Sequence, residues 1–321
     1  MKRVLCGLLA LVMVLSLAAC GKTPAPDATP DDPPAPDAAP EYFVVEDGVY
    51  RLEKELDEKS VDRAIGKFQK FAEDYCGESE RVFLALIPSK NGYLNAENPS
   101  FTNDAERAIL QSVYDKWGRN FIDLSVCLDL EDYYRTDPHW RQECLGFVLR
   151  ELGAALEFDT DTVDSGERVL SESWTEEVLT TEYTGVYGAE VENPVAEEMT
   201  VLRHPDMEGY IVRNGETGEE MPLYDTAKLT ERDPYELFVG GPLSLVTIEN
   251  PNAGNDRHLV VVRDSFGSAL LPMLAQSYAK VTAVDIRYMM PAMVGNFVDF
   301  TGADVLFLYS STVINNSITL K

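Results

Sequence analysis

The sequence predicts an α/β fold: a mostly parallel sheet covered by helices, interrupted by a β-rich insertion. Three observations carry this expectation: apolar runs of strand length without polar alternation, amphipathic helical stretches between them, and a central region, 157–250, of short alternating Thr, Tyr, Val and Glu runs. Unbroken apolar strands mark a sheet buried on both faces, and strand–helix–strand order marks parallel neighbours.

Taken in order, Val61, Ile65, Phe68, Ala72 and Tyr75 recur at helical spacing, so 60–75 reads as an amphipathic helix capped by Ser60. Residues 82–87 form a buried strand that Pro88 ends. Asp104 opens a second helix whose inner face is Ile109, Val113, Tyr114 and Trp117, with Gly118 as its stop, and 121–124 is a further strand. Leu145, Val148, Leu149, Leu152 and Leu156 make a third helix directly after Trp140.

Within 157–250, the run 178–186 alternates as a strand, and 211–213, the turn NGETG and 221–224 suggest a hairpin with Pro222 on an edge. After His258 the earlier order returns: strand 259–262, helix 268–279, strand 281–285, a final helix near 291–300 and strand 305–309. Functional sites in such open sheets lie at the carboxyl ends of strands, and Ser265 sits at one.

The start of the chain has another character. Lys2 and Arg3 precede an apolar run from Leu8 to Leu17 that ends in Leu17-Ala18-Ala19-Cys20, the order of a lipobox. Residues 1–19 therefore read as a secretion signal and Cys20 as the lipid-bearing first residue of the mature chain, since the run is short for a membrane span. Residues 20–40, rich in Pro and Asp and lacking large apolar side chains, read as a disordered tether, and 41–321 as the folded body. At about 3.1 Å per residue the tether would reach on the order of 60 Å. The expected address is outside the cytoplasm, with the membrane as a partner through the lipid.

A formal net charge of −28 argues against nucleic acid, anionic lipid surfaces and polyanionic polymers as main ligands, and favours a neutral or basic one. Beyond Cys6 and Cys20 only Cys76, Cys127 and Cys144 remain, without CxxC spacing, and His139, His204 and His258 show no ligand spacing. No metal or other cofactor is expected.

A serine at a strand end where a helix begins has an exposed hydroxyl, with the backbone N–H groups of Ser265, Phe266 and Gly267 aimed at an oxyanion beside it. The same position also suits a plain helix cap. The segment YYRTDPHW, 133–140, holds the second element, Asp137-Pro138-His139. Pro138 stiffens it, and Asp137 could fix the tautomer of His139, leaving the other ring nitrogen to deprotonate Ser265. A turn Asp beside a surface His is the alternative.

These pieces together resemble a known family. Segments 133–140 and 261–267, followed by Leu271-Pro272, Val284-Asp285-Ile286-Arg287-Tyr288 and, upstream, the run ALIPSK of 85–90, are similar to the DHHW proteins over most of 43–315. Those are exported, SGNH-hydrolase-like proteins related to the alginate O-acetyltransferase group. The resemblance implies an SGNH-like three-layer fold with Ser265 as nucleophile, His139 as general base and Asp137 as its orienter. Where the family motif has its first His, this chain has Pro138. A third oxyanion donor, Asn in many SGNH enzymes, could be Asn255, Asn296, Asn315 or Asn316, and spacing selects none. Trp140, Arg263 and Lys90 are the expected substrate-binding residues.

Two functions follow as expectations. One is a serine-dependent O-acetyltransferase or acetylesterase acting on envelope polysaccharide or glycan, with an acyl donor as second partner. The other is a carbohydrate-binding or scaffold lipoprotein that keeps the fold without turnover.

Overall fold

The structure is a computed structural model that describes residues 41–321 apart from 78, 80, 95–103, 166 and 167. The expected secretion signal, Cys20 and tether fall outside the described residues. A hairpin of β1 (Tyr42–Val45) and β2 (Gly48–Arg51) leads into α1 (Glu58–Tyr75), then β3 (Val82–Ile87), α2 (Asp104–Trp117), β4 (Asn120–Asp123) and α3 (Gly146–Leu156). The insertion contributes β5 (Thr162–Ser165), β6 (Arg168–Leu170), β7 (Thr175–Tyr183), β8 (Glu197–Arg203), β9 (Ile211–Asn214) and β10 (Leu245–Glu249). The chain closes with β11 (His258–Arg263), α4 (Gly267–Leu274), β12 (Lys280–Val284), β13 (Asp304–Ser310) and α5 (Ser311–Asn315).

Among the described residues, seven strands form the central sheet in the order β4-β3-β13-β11-β12-β10-β9. From β4 to β12 every pairing is parallel, whereas β10 and β9 are antiparallel additions. Side chains alternate across the pleat. Leu84, Val260 and Phe307 meet Phe68 of α1 and Ile109 and Trp117 of α2 on one face; Ala85, Val261 and Leu308 meet Leu149 of α3 and Leu270 of α4 on the other. Both faces being covered explains why β3 and β13 are apolar almost throughout and wholly buried.

Several expectations change. Asp57, not Ser60, caps α1, its carboxylate taking the Lys59 and Ser60 N–H groups at 3.0 and 3.1 Å. Ser60 is buried one turn further in and bonds the Ile314 carbonyl and Ser317. Tyr114 lies on the exposed side of α2, because Trp117 and Val113 already fill the inner face. The insertion does not stand wholly apart: β9 and β10 complete the main sheet, while β7 and β8 pair separately. The second arm of the expected 211–224 hairpin narrows to a single bridge, Arg213 to Glu220, since Pro222 has no N–H to continue a ladder. The helix expected over 268–279 ends at Leu274, where Asn250 Nδ2 captures the Ala275 carbonyl at 2.8 Å. The helix expected over 291–300 is one short 3-10 stretch, Pro291–Asn296.

Candidate active site

The carboxyl ends of β3, β13, β11 and β12 converge, as strand ends do in open parallel sheets. Asp264 follows β11 directly and is fully buried. One of its oxygens accepts the Phe266 N–H at 3.1 Å, and the other accepts the N–H and hydroxyl of Ser310 at 2.8 and 2.7 Å. The turn carrying Ser265 is thus tied to the neighbouring strand. Gly267 then starts α4 against the Arg263 side chain, where an added Cβ would lie 3.0 Å from Arg263 Cβ. Any larger residue would have to push the Arg263 side chain back by a few tenths of an ångström for the helix to begin so near the strand end.

The loop 133–140 brings in the second component. Its Asp137 is completely buried, and Oδ1 lies 2.6 Å from His139 Nδ1 and accepts the His139 N–H at 3.0 Å. Oδ2 accepts the Val186 N–H at 3.0 Å, which Gly185 permits because a Cβ there would run into the carboxylate. Burial pushes the Asp137 carboxyl upward, but the His139 charge and the hydrogen bonds from His139 and Val186 outweigh it and hold the group below its usual range. On the other side of the ring, His139 Nε2 lies 2.8 Å from Ser265 Oγ. Tyr235 stacks flat on the imidazole, centroids 3.9 Å apart with 4° between planes, and Phe266 packs at 4.7 Å. Ser265, His139 and Asp137 are therefore brought into one hydrogen-bonded line.

The other expected site residues fare differently. Trp140 is wholly buried and donates its indole N–H to the Phe266 carbonyl at 3.0 Å, so it braces the serine turn and offers no face to a substrate. Lys90 is also buried: its ammonium donates to the carbonyls of Tyr134, Arg135 and Asp137 at 3.0, 3.0 and 2.8 Å, with Tyr50 and Tyr187 rings beside it. All of its donors are engaged in holding the Asp137 loop, and burial pushes its pKa down to about 7. Arg263 does line the pocket, but it is 1% exposed and turned to the carbonyls of Asp264 and Gly241 at 3.2 and 3.3 Å, with Nε unpartnered.

Two of the backbone donors expected for an oxyanion are also engaged. Phe266 N–H goes to Asp264 Oδ1, and Gly267 N–H to the Asp264 carbonyl at 3.2 Å. The Ser265 N–H donates to no atom among the described residues. None of Asn255, Asn296, Asn315 and Asn316 lines the pocket beside Ser265. Asn315, for instance, binds Asp57 N–H and the Lys54 and Glu55 carbonyls instead.

That pocket holds about 190 Å³ and is lined by His139, Ser265, Asp233, Tyr235, Arg263 and Arg287, among others. Arg287 is fixed by Asp285, which accepts from its Nε and Nη2 at 3.0, 3.1 and 2.6 Å. A larger hollow of about 830 Å³ lies where β3 and β13 begin, at the opposite end of the sheet, and no histidine lines it.

Sequence reasoning missed the contribution of the insertion. Tyr235, Asp233 and Val186 all reach the site from it, as does Glu197, which accepts the Arg135 and Thr136 N–H groups at 2.8 and 3.2 Å. Gln142, fully buried, links the Ala269 carbonyl to the Leu202 N–H, each at 2.7 Å. Asp264 had a legible signal, a carboxylate where an apolar strand meets a helix; the others had none, because their partners are distant in sequence.

No family model matches the chain, and no curated protein matches it. Solved structures do. A DHHW family protein from Eubacterium siraeum superposes with a TM-score of 0.63 at 18% identity, covering 85% of this chain and 91% of that one. Bacillus cereus PatB1 with a sulfonyl adduct gives 0.63 at 15% identity, covering 85% and 95%. The O-acetyltransferase domain of Pseudomonas putida AlgJ gives 0.51 at 10% identity, covering 86% and 92%. The fold of the chain is thus one it shares with a DHHW family protein, PatB1 and the AlgJ domain, in line with the resemblance read from its motifs.

Proposed function

We propose that the protein is a serine-dependent acyltransferase of SGNH-hydrolase type that moves an acetyl group onto, or off, a hydroxyl of cell-envelope glycan. The single observation that carries this reading is the line from Asp137 through His139 to Ser265, with contacts of 2.6 and 2.8 Å. In it, Ser265 Oγ attacks the carbonyl carbon of an acetyl donor while its proton passes to His139 Nε2. Asp137 keeps Nδ1 protonated and stabilises the imidazolium. The negative charge on the carbonyl oxygen falls beside the Ser265 N–H and the Arg287 guanidinium. The bond to the donor breaks, its leaving oxygen takes the proton from His139, and acetyl-Ser265 remains.

A sugar hydroxyl then gives its proton to His139 as its oxygen attacks the acetyl carbon. Collapse returns that proton to Ser265 and releases the acetylated sugar. Water in place of the sugar gives hydrolysis, so the two outcomes differ only in which acceptor is held at the site. Support for transfer comes from the fold shared with an O-acetyltransferase domain. The lipobox-like order ending at Cys20 and the Pro- and Asp-rich stretch after it support a reading in which this work is done outside the cytoplasm, within tether reach of the membrane. Incubating the purified protein with p-nitrophenyl acetate and envelope glycan, and following acetyl by mass, tests the proposal. Acetyl should appear on glycan or as acetate with wild type and not with Ser265→Ala; release that does not depend on Ser265 contradicts it.

A further inference from the structure

Asp233 and Glu236 line the same pocket as Ser265 and His139. Both come from the insertion: Asp233 precedes the short 3-10 helix Pro234–Leu237 and Glu236 lies within it, as does the Tyr235 ring stacked on His139. Pro234 keeps Asp233 out of the helical backbone region, so the carboxylate and the stacking ring are held on one stiff piece. Asp233 Oδ1 is buried and has no hydrogen-bond partner among the described residues. The charged groups that act on this carboxylate are Asp137, which repels it, and His139. Of the two guanidinium groups of the pocket, Arg287 is paired with Asp285, and Arg263 gives Nη1 and Nη2 to backbone carbonyls while its Nε has no partner among the described residues.

A desolvated carboxylate oxygen without a donor is costly, and a turn of the carboxylate that brings this oxygen to the pocket lets a ligand supply the donor and recover that cost. An acetyl group cannot do so, because its carbonyl only accepts hydrogen bonds. The acyl acceptor can, through a hydroxyl or an amino group. A carboxylate-bearing acceptor would meet Asp233 and Glu236 as like charges in a partly desolvated pocket, on a chain whose net charge is −28.

We infer that Asp233 binds the acyl acceptor, taking a hydrogen bond from a hydroxyl or amino group of a neutral or amino-bearing glycan and discriminating against uronate-bearing ones. This rests on the proposed acyl transfer for its meaning, but binding can be read without turnover. Calorimetry on the full chain carrying Ser265→Ala, with tetramers of N-acetylglucosamine, glucosamine and a uronic acid, makes the test. The first two should bind at least about tenfold more tightly than the uronate, and adding Asp233→Ala should weaken both by about tenfold. Adding Asp233→Asn should narrow the gap to the uronate, a change of preference that a merely structural defect, weakening all three alike, would not produce. Equal binding of the three tetramers, no binding of any, or an unchanged preference in a folded Asp233→Asn variant would overturn the inference. A wild type that shows the preference but gives no p-nitrophenol burst from p-nitrophenyl acetate would sink the acyl-transfer reading and leave the binding role of Asp233 standing.

Discussion

His139 Nε2 and Ser265 Oγ lie 2.8 Å apart although 126 residues separate them, and the ring that makes this contact is held from behind by Asp137 at 2.6 Å. Everything local to the two partners serves that distance. Asp264 ties the serine turn to β13, Trp140 and Gln142 tie the histidine loop to the serine turn and α4, and Tyr235 fixes the plane of the imidazole.

Asp137→Asn should keep the fold and lose the chemistry. The amide puts a donor where Nδ1–H must be accepted, so His139 takes the wrong tautomer. A fall in kcat of about 10³ to 10⁴ is expected, with a near-native circular dichroism spectrum. Steady-state hydrolysis of p-nitrophenyl acetate measures it; a loss of less than about tenfold would separate Asp137 from the reaction.

Tyr235→Phe should leave kcat close to wild type, because the tyrosine hydroxyl has no partner among the described residues and the ring alone stacks on His139. Tyr235→Ala removes the ring, and a stack of this kind contributes about 1 kcal/mol, so a loss of about fivefold or more in kcat is expected. Matching losses in the two variants would show that the hydroxyl, not the stack, matters.

How much of this was legible beforehand depends on how local each cause is. The buried runs of β3, β11 and β13 announce themselves because both faces of the sheet are covered, and the Asp137, His139 and Ser265 pattern is local chemistry at two chain positions. Lys90 and Trp140 were misread for one reason. A cation or an indole near a strand end looks available until the carbonyls it satisfies are known, and those come from Tyr134 and Phe266. The union of β9 and β10 with the main sheet is likewise a matter of distant pairing, as is the reach of Tyr235 and Asp233 into the site.

Lys90→Met should destabilise the chain by about 2 to 4 kcal/mol, since buried backbone carbonyls lose charge-assisted donors. Activity should fall along with stability, because those carbonyls belong to the loop that presents Asp137 and His139. Urea unfolding monitored by fluorescence checks the first statement. A variant as stable as wild type would show that the loop holds itself.

Stability should also fall as pH rises from about 5 to 8, through a carboxyl pair behind the site. Glu106, buried beneath Ser89 and Ser311, is raised to about 8 by burial and by Glu53, and burial raises Glu53 to about 7. Both would ionise near 4.5 in the unfolded chain. Between those values the folded state holds more protons than the unfolded one, so each contribution is complete at low pH and is lost as pH rises towards the folded pKa. Glu106→Gln should flatten this slope and raise the urea midpoint at pH 8 relative to wild type. An unaltered slope would place the ionisation elsewhere.

The most direct measurement is intact-protein mass spectrometry after exposure to a fluorophosphonate probe, with peptide mapping of the adduct. Wild type should gain one adduct on Ser265, His139→Ala should label at least about a hundredfold more slowly, and Ser265→Ala should gain none. A folded wild type that stays unlabelled, or a Ser265→Ala variant labelled as fast as wild type, would contradict the assignment of Ser265 as the nucleophile.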